Sequence, residues 1–348
     1  MNGVIIIDKP AGWTSHDVVN RMRRILQQRS VGHLGTLDPL ATGVLPLVTG
    51  SLTRLAQFYI ASEKTYEGVI HFGFATNTYD ADGDPVNQLS NDEGRTDTAT
   101  AHVGTAAQAC PERSRRGCPS GRRPDLTLDS LQALAAEFHG TIQQTPPPFS
   151  AKKIHGVPAY KLARKQKEVV LQPVQVEVKE FTITAVENDR AHFRARVSSG
   201  TYMRSIAHEM GQRLGCGAHL ASLRRTSVAE FDITQAHTIE EIETTCRSEM
   251  WGGRPRPPIP PPATHSTEPH PWQLKALFIH PRQLLPQFPS VTADDPTAAR
   301  IRSGRPINLP ELSRARQVKV FASQTQLLAI ATRVAGTLFH PKIVFPNE

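Results

Sequence analysis

Apolar residues recur along the chain with two periods, which indicates a mixture of strands and helices. The run GVIIIDKP at 3–10 predicts a short buried strand that ends at proline. Residues 174–185 and 190–197 alternate like two paired strands around a turn. Apolar positions with helical spacing begin after Thr14 and Ser15, either of which can cap a helix. The pattern therefore predicts a fold that contains both strands and helices.

The same periods predict further elements. Helical spacing is found in SLTRLAQFYI at 51–60, in LDSLQALAAEFHG at 128–140 and in SGTYMRSIAHEMGQRLGC, which Ser199 or Thr201 would introduce. The segment KTYEGVIHFGF at 64–74 predicts a strand, and TIEEIET predicts another helix.

Composition divides the chain into domains. Residues 1–245 are predicted to form the larger domain, in which 92–126 lack any apolar period and form an inserted loop. Residues 246–273 are rich in proline and are expected to be a linker or a second insertion. The short strand patterns QVKVFAS, QLLAIATRV and HPKIVF predict a small β-rich domain over 274–348.

The net charge favours an anionic partner without establishing one. The chain of 348 residues carries a formal charge of +8 with a pI near 9.5, as is typical of proteins that bind nucleic acid. Residues 110–123, with five arginines and one glutamate, contribute four of these charges. If that stretch is a dispensable loop, the remaining chain is only mildly basic. A better nucleic-acid candidate is the basic segment at 140–168, where aromatic residues alternate with lysine and arginine.

Cysteine usage and hydropathy predict a cytoplasmic enzyme or binding protein. The four cysteines form no CxxC pair and no secreted disulfide framework, and we expect free thiols rather than a bridge between Cys110 and Cys118. No stretch approaches the roughly 20 apolar residues of a membrane helix, and the first residues lack a signal peptide. We expect no metal site, since no cluster has the spacing of metal ligands.

The segment GHLGTLDPLATGVLP at 32–46 places one carboxylate, Asp38, among glycine, threonine and apolar residues. An unpaired carboxylate in such surroundings is costly. One interpretation is an Asx turn or helix cap at Asp38 and Pro39. A phosphate-binding loop is disfavoured, because GxxxxGK[ST] is absent and an acid repels phosphate.

This segment resembles the active-site motif of the TruB family of pseudouridine synthases, G-H-x-G-T-L-D-P-x-A-T-G-V-L-P, at every fixed position. Other segments similar to the family follow in order: DKPAGWTS, KTYEGVIHFG, SAKKIHGVPAYKLAR, SSGTYMRSIAHEMG and LGCGAHLASLRRT. The resemblance covers residues 1–245 apart from the insertion. It implies an α+β pseudouridine synthase core, with a mixed, mainly antiparallel sheet flanked by helices, and a small C-terminal β-rich PUA-like domain.

The resemblance implies isomerisation of uridine 55 in the T loop of tRNA, without a cofactor. Asp38 would be the catalytic carboxylate, acting either by attack on C1′ of the ribose or by proton abstraction from C2′. Arg204 would pair with Asp38 and keep it ionised. Tyr66 would stack on the target base and serve in removing the C5 proton.

The resemblance also assigns residues that bind the RNA. His33 would fill the space that the flipped uridine leaves, while Tyr202 and Leu223 would line the uracil pocket. Lys9 and Pro10 are expected to brace the catalytic loop. The segment 140–168 would be a thumb that clasps the T arm, with RNA contacts from Lys152, Lys153, Lys161 and Arg164. We expect a monomer that needs no protein partner and no membrane.

Two alternatives stay open. One is a non-catalytic protein that binds or folds tRNA, and the other is a pseudouridine synthase that acts on a different RNA. The family often continues from LRRT to Gly-Pro-Phe, whereas this chain has SVAEF at 227–231. We expect this departure to change a strand edge rather than the pocket.

Overall fold

The computed structural model describes residues 2–86, 126–150, 152–154, 157–159, 171–251, 276–312 and 314–346. These residues form the helices α1 (Ser15–Ile25), α2 (Ala56–Tyr59), α3 (Leu128–Ala136), α4 (Met203–Arg213), α5 (Ile239–Trp251) and α6 (Asp295–Arg302). They form the strands β1 (Gly3–Lys9), β2 (Val31–His33), β3 (Thr42–Thr49), β4 (Lys64–Phe72), β5 (Ala75–Thr76), β6 (Pro85–Val86), β7 (Gly140–Gln144), β8 (Lys153–Ile154), β9 (Val157–Pro158), β10 (Val174–Glu187), β11 (Arg190–Val197), β12 (Ala218–Val228), β13 (Phe231–Asp232), β14 (Phe278–Ile279), β15 (Ser290–Thr292), β16 (Ile307–Asn308), β17 (Gln317–Phe321), β18 (Leu327–Ala335) and β19 (Leu338–Val344).

Two compact units make up the chain. The first combines Met1–Lys64 with Arg224–Glu348, and the second is Thr65–Leu223. This division differs from the predicted domain boundaries at 245 and 273, which stay predictions. Of the described helices, none is long and apolar enough to cross a membrane.

The first unit contains two sheets. In one, β1 lies between β14 and β3, pairing antiparallel with both, and β3 runs parallel to β12 where Thr42 and Gly43 face Arg224 and Arg225. The other sheet has the strand order β15-β17-β18-β19-β16, and residues of α6 share its apolar core. This second sheet is the β-rich C-terminal structure that the sequence predicts.

The second unit is built around the long antiparallel pair β10 and β11, with β7 on the other side of β10. Helix α4 buries most of one side, including Met203, Ile206 and Met210. Gly211 lets this helix approach the chain closely, because a Cβ atom there would lie 2.1 Å from the amide nitrogen of Ala218.

Most elements predicted from periodicity are confirmed. Strands β1, β4, β10 and β11 lie where the sequence pattern predicted them, as do β17, β18 and β19 in the C-terminal part. Thr14 caps α1: its hydroxyl accepts from the amide of Asp17 at 3.1 Å, and the Thr14 amide donates to the Asp17 carboxylate at 2.9 Å. The predicted helix at 51–60 is instead a 3₁₀ turn at Gly50–Leu55 followed by the single turn α2.

Three predictions meet the limits of the described chain or differ from it. The expected capping of α4 by Ser199 or Thr201 is wrong, since the helix begins at Met203 after Tyr202, without a side-chain cap. The predicted insertion at 92–126 lies outside the described residues except for its last position. Of the predicted linker at 246–273, α5 includes the first residues, to Trp251, and the rest lies outside.

Candidate active site

The loop that carries Asp38 connects two neighbouring strands of the first unit. Strand β2 ends at His33 and β3 begins at Thr42. The carbonyl of Asp38 accepts from the amide of Ala41 at 3.1 Å, which closes a tight turn. Leu37 is buried while Asp38 itself is partly exposed. The carboxylate is thus held next to the core and accessible from outside it.

Residues far along the chain hold the loop backbone before and after Asp38. The hydroxyl of Ser15, at the start of α1, accepts from the amide of Leu37 at 2.8 Å and lies 3.1 Å from its carbonyl oxygen. The amide of Gly12 donates to the carbonyl of Pro39 at 2.9 Å. Because both neighbours of Asp38 are bonded, the loop has little freedom to move its carboxylate.

Arg225 is the largest fully buried side chain among the described residues, and the sequence analysis did not single it out. Its guanidinium donates to the carbonyls of Val44 at 2.8 Å, Thr36 at 3.1 Å and Gly35 at 3.0 Å. A buried guanidinium needs such acceptors, and the fork geometry allows several at once. Close strand contact requires glycine at position 43, since a Cβ atom there would lie 2.2 Å from the Arg225 carbonyl oxygen.

Lys9 is fully buried at the end of β1 and supports the loop as the sequence predicts. Its ammonium donates to the carbonyls of Trp13 at 2.6 Å, Pro10 at 2.8 Å and Pro39 at 3.2 Å. Burial lowers the pKa of Lys9 to about 8, while the negative charge of Asp38 opposes that fall. Lys9 therefore holds the loop most firmly in its protonated form.

His33 lies at the start of the loop with its ring half-buried. Its Nδ1 accepts from the amide of Gly35 at 3.3 Å. Burial lowers the pKa of His33, and the positive charge of Arg225 adds to this effect. A neutral ring at neutral pH suits the predicted stacking role, which needs no charge.

Arg204 is buried on α4 in the second unit, where it pairs with Asp80. Its Nη1 lies 3.3 Å from Oδ2 of Asp80 and donates to the carbonyl of Thr78 at 3.1 Å, while Nη2 donates to the carbonyl of Phe149 at 3.2 Å. The amide of Asp82 donates to Oδ1 of Asp80 at 3.2 Å. Both charges of the pair are thus buried and hydrogen-bonded, as such pairs require. The predicted pairing of Arg204 with Asp38 stays a prediction.

Asp80 is a second residue that sequence reasoning missed. Its signal was present in the turn TNTYDADGDPV, but three aspartates there are equivalent in sequence. Of these, Asp80 is buried and Asp82 and Asp84 are exposed. Burial therefore distinguishes the residue that serves Arg204.

The predicted pocket residues of the second unit lie on two strands and just before one helix. Tyr66 on β4 and Leu223 on β12 are buried, with 7% and 8% of their surfaces exposed. Tyr202 is held by the buried amide of Gln144, which accepts from the Tyr202 amide nitrogen at 2.8 Å and donates to its carbonyl at 3.1 Å. Gln144 thus fixes the backbone at the start of α4.

The predicted residues fall into two sets. His33 and Asp38 belong to the first unit, and Tyr66, Tyr202, Arg204 and Leu223 belong to the second.

Of the predicted RNA contacts, Lys152 is partly buried. The side chain of Lys153 and the residues Lys161 and Arg164 lie outside the described residues. In the part of the chain that the structure describes, no group of three or more His, Cys, Asp or Glu side chains is arranged to hold a metal ion.

Two family models match the chain. The TruB family pseudouridylate synthase N-terminal domain matches residues 23–123 and 115–203, and the tRNA pseudouridylate synthase B C-terminal domain matches 204–251. Similar proteins named tRNA pseudouridine synthase B include one from Solibacter usitatus, 42% identical over 99% of this chain and 100% of its own. Another, from Bacillus cytotoxicus, is 33% identical over 95% of this chain and 92% of its own.

Solved structures confirm the predicted fold class. A Cbf5-Nop10-Gar1 complex contains a chain that is 22% identical, with a TM-score of 0.62 over 96% of this chain and 79% of that one. An H/ACA ribonucleoprotein bound to a substrate RNA containing 2′-deoxyuridine gives a TM-score of 0.64 at 20% identity, over 99% and 85%. With the loop motif, the matching family models and full-length relatives above 30% identity, the chain belongs to the TruB family of pseudouridine synthases.

Proposed function

We propose that this chain is a tRNA pseudouridine synthase that isomerises uridine 55 in the T loop of tRNA. The observation that carries the proposal is the held Asp38 loop. Carbonyls at Gly35, Thr36 and Pro39 accept hydrogen bonds from Arg225 and Lys9. Such fixation suits a carboxylate that must act at one carbon atom in a defined geometry.

The reaction breaks the bond between N1 and C1′ of the uridine and forms a bond between C5 and C1′. A proton leaves C5 and another is taken up at N1, so the product is an isomer. Asp38 acts either by attacking C1′ or by removing a proton from C2′. In this proposal Arg204 pairs with Asp38 and favours its ionised form, and Tyr66 stacks on the base and serves in removing the C5 proton.

The target base is inaccessible in a folded T loop, so the enzyme must flip it out. We assign His33 to the vacated space, where its half-buried, neutral ring can stack, and Tyr202 and Leu223 to the uracil pocket. The basic thumb at 140–168 holds the T arm through phosphate contacts. The enzyme acts as a monomer without a protein partner, which sedimentation of the purified chain would test.

Tritium release tests the reaction and its target together. The wild-type protein is incubated with unmodified tRNA labelled at C5 of uridine, and with a tRNA that lacks the T-loop uridine. We expect release from the first tRNA alone. Tight binding without release would favour the tRNA-folding protein, and release from the second tRNA would mean a different RNA target.

The pH profile tests the support that Lys9 gives. Above about pH 8, Lys9 loses its proton, and a neutral amine has only two hydrogens to donate to three carbonyls. We expect the single-turnover rate to fall as the pH rises through this value. The variant Lys9→Met should be slow at every pH and show no such fall.

Lys64 provides the matched control for the pH profile. Burial lowers its pKa to about 8 as well, but its ammonium donates to the carbonyl of Ser62 at 2.6 Å, outside the Asp38 loop. The variant Lys64→Met should therefore keep the fall in rate above pH 8. If the fall disappears in Lys64→Met and persists in Lys9→Met, Lys64 is the group that titrates.

A further inference from the structure

Two aromatic rings stack beside the Arg204–Asp80 pair. The ring centroids of Tyr79 and His208 are 3.7 Å apart and the ring planes differ by 11°. Tyr79 directly precedes Asp80, and His208 lies one helical turn after Arg204 on α4. The turn and the helix are therefore joined twice, once through the charged pair and once through the rings.

The turn holds Tyr79 in a conformation that needs support. Its φ is +66°, in the left-handed region that residues other than glycine seldom adopt. The Tyr79 amide donates to the carbonyl of Thr76 at 3.2 Å, and its carbonyl accepts from the amide of Leu220 at 3.0 Å. These bonds hold the backbone, while the stack is the contact that holds the side chain against α4.

His208 takes part through the face of its ring. Its Nδ1 is buried and has no hydrogen-bond partner among the described residues. Burial lowers the pKa of His208, against the weaker opposing effect of the Glu209 charge. The ring is therefore neutral at neutral pH, and the stack is a contact between two uncharged aromatic rings.

The stack borders an open pocket of the second unit. The cavity has a volume of about 530 Å³ and is lined by Tyr79 and His208 together with the polar residues Gln143, Thr145 and Gln212. Tyr79 and His208 are both partly exposed, so on the pocket side no enclosed core surrounds the stack.

We infer that Tyr79 and His208 are positioning residues for the proposed isomerisation. Their stack holds the turn so that the Asp80 carboxylate keeps the Arg204 guanidinium in its catalytic orientation. The inference rests on the proposed function, in which Arg204 serves the catalytic carboxylate. Neither ring is assigned a contact with the substrate.

Substitutions that keep or remove the flat rings test the inference. We expect Tyr79→Leu and His208→Leu to lower the single-turnover rate at saturating tRNA by about 3- to 10-fold each, the range of a lost aromatic pair. Tyr79→Phe and His208→Phe keep a stack and should stay within about 2-fold of the wild type. The affinity for tRNA should not change in any of the four. Gln212→Leu, which changes the lining of the same cavity and keeps both rings, is the control.

A double-substitution cycle with Asp80→Asn separates positioning from general stability. If the rings act through Asp80, adding Tyr79→Leu to Asp80→Asn should slow the reaction by less than about 2-fold more. Multiplying effects would overturn the inference, as would leucine variants that react like the wild type. Inactive wild-type protein would instead refute the proposed function. Thermal unfolding of each variant shows whether it is folded. If a leucine variant does not fold, the phenylalanine variants, which keep the stack, still test the inference.

Discussion

Replacing Asp38 by asparagine is expected to lower the single-turnover rate of isomerisation by about 10²- to 10⁴-fold while tRNA binding persists. The amide keeps the shape of the carboxylate but neither attacks carbon nor accepts a proton at neutral pH, and positioned groups of this kind contribute about 10²- to 10⁴-fold. The loop should keep its structure, because its backbone is held by hydrogen bonds from Arg225, Ser15 and Lys9, which the substitution leaves in place. The measurement is tritium release from excess enzyme, alongside filter binding of the same tRNA.

Asp295→Asn is the matched control for this substitution. Asp295 is exposed in the first turn of α6, so the same loss of one charge should leave the rate unchanged. Appreciable release by Asp38→Asn would mean that another group carries the reaction. Loss of both release and tRNA binding would mean that Asp38 matters for RNA affinity instead.

Replacing Arg225 by methionine is expected to cost about 3 kcal/mol of the free energy of unfolding and to slow isomerisation about 100-fold. The substitution leaves the carbonyls of Gly35, Thr36 and Val44 without their donor, and an unsatisfied buried group costs about 1–3 kcal/mol. The positive charge of Arg225 lowers the pKa values of Lys9 and Lys64. Removing it takes away this repulsion, which offsets part of the lost free energy of unfolding. Urea unfolding measures the first effect, and single-turnover kinetics on the folded variant measure the second.

The neighbouring Arg224 offers the control for Arg225. Its side chain is 43% exposed and pairs with Asp8 at 2.7 Å. Exposed pairs contribute about 0–1 kcal/mol, so the free energy of unfolding of Arg224→Met should lie within about 1 kcal/mol of the wild-type value. If Arg225→Met is as stable and as fast as Arg224→Met, the guanidinium of Arg225 does not hold the Asp38 loop.

The sequence was informative where local chemistry decides structure. The capping box of Thr14 and Asp17 depends on residues three apart, and the structure confirms the helix start that Thr14 predicts. Strict alternation likewise predicted β10 and β11, because side chains of a strand point to opposite faces. The motif around Asp38 indicated the family, which the matching family models confirm.

Local rules failed where a distant residue replaces a local partner. Helix α4 starts without the expected cap, and the amide of Tyr202 at that point bonds instead to Gln144, 58 residues away in sequence. Strand β12 was not predicted, since LASLRRTSV mixes charge and apolar residues without clear alternation. Its Arg225 can be buried because two loop carbonyls and one carbonyl of β3, all far away in sequence, accept its hydrogens.

In the candidate site, too, some residues are indicated by the sequence and others only by the folded structure. The sequence motif around Asp38 indicates the family and its reaction class, and makes Asp38 the proposed catalytic carboxylate. Packing alone separates Asp80 from the exposed Asp82 and Asp84, stacks Tyr79 on His208, and turns Arg225 and Lys9 into supports of the loop. Burial and donor–acceptor pairing over long sequence distances arise only when the chain is folded, so the tertiary structure, and no local pattern, assigns these residues their roles.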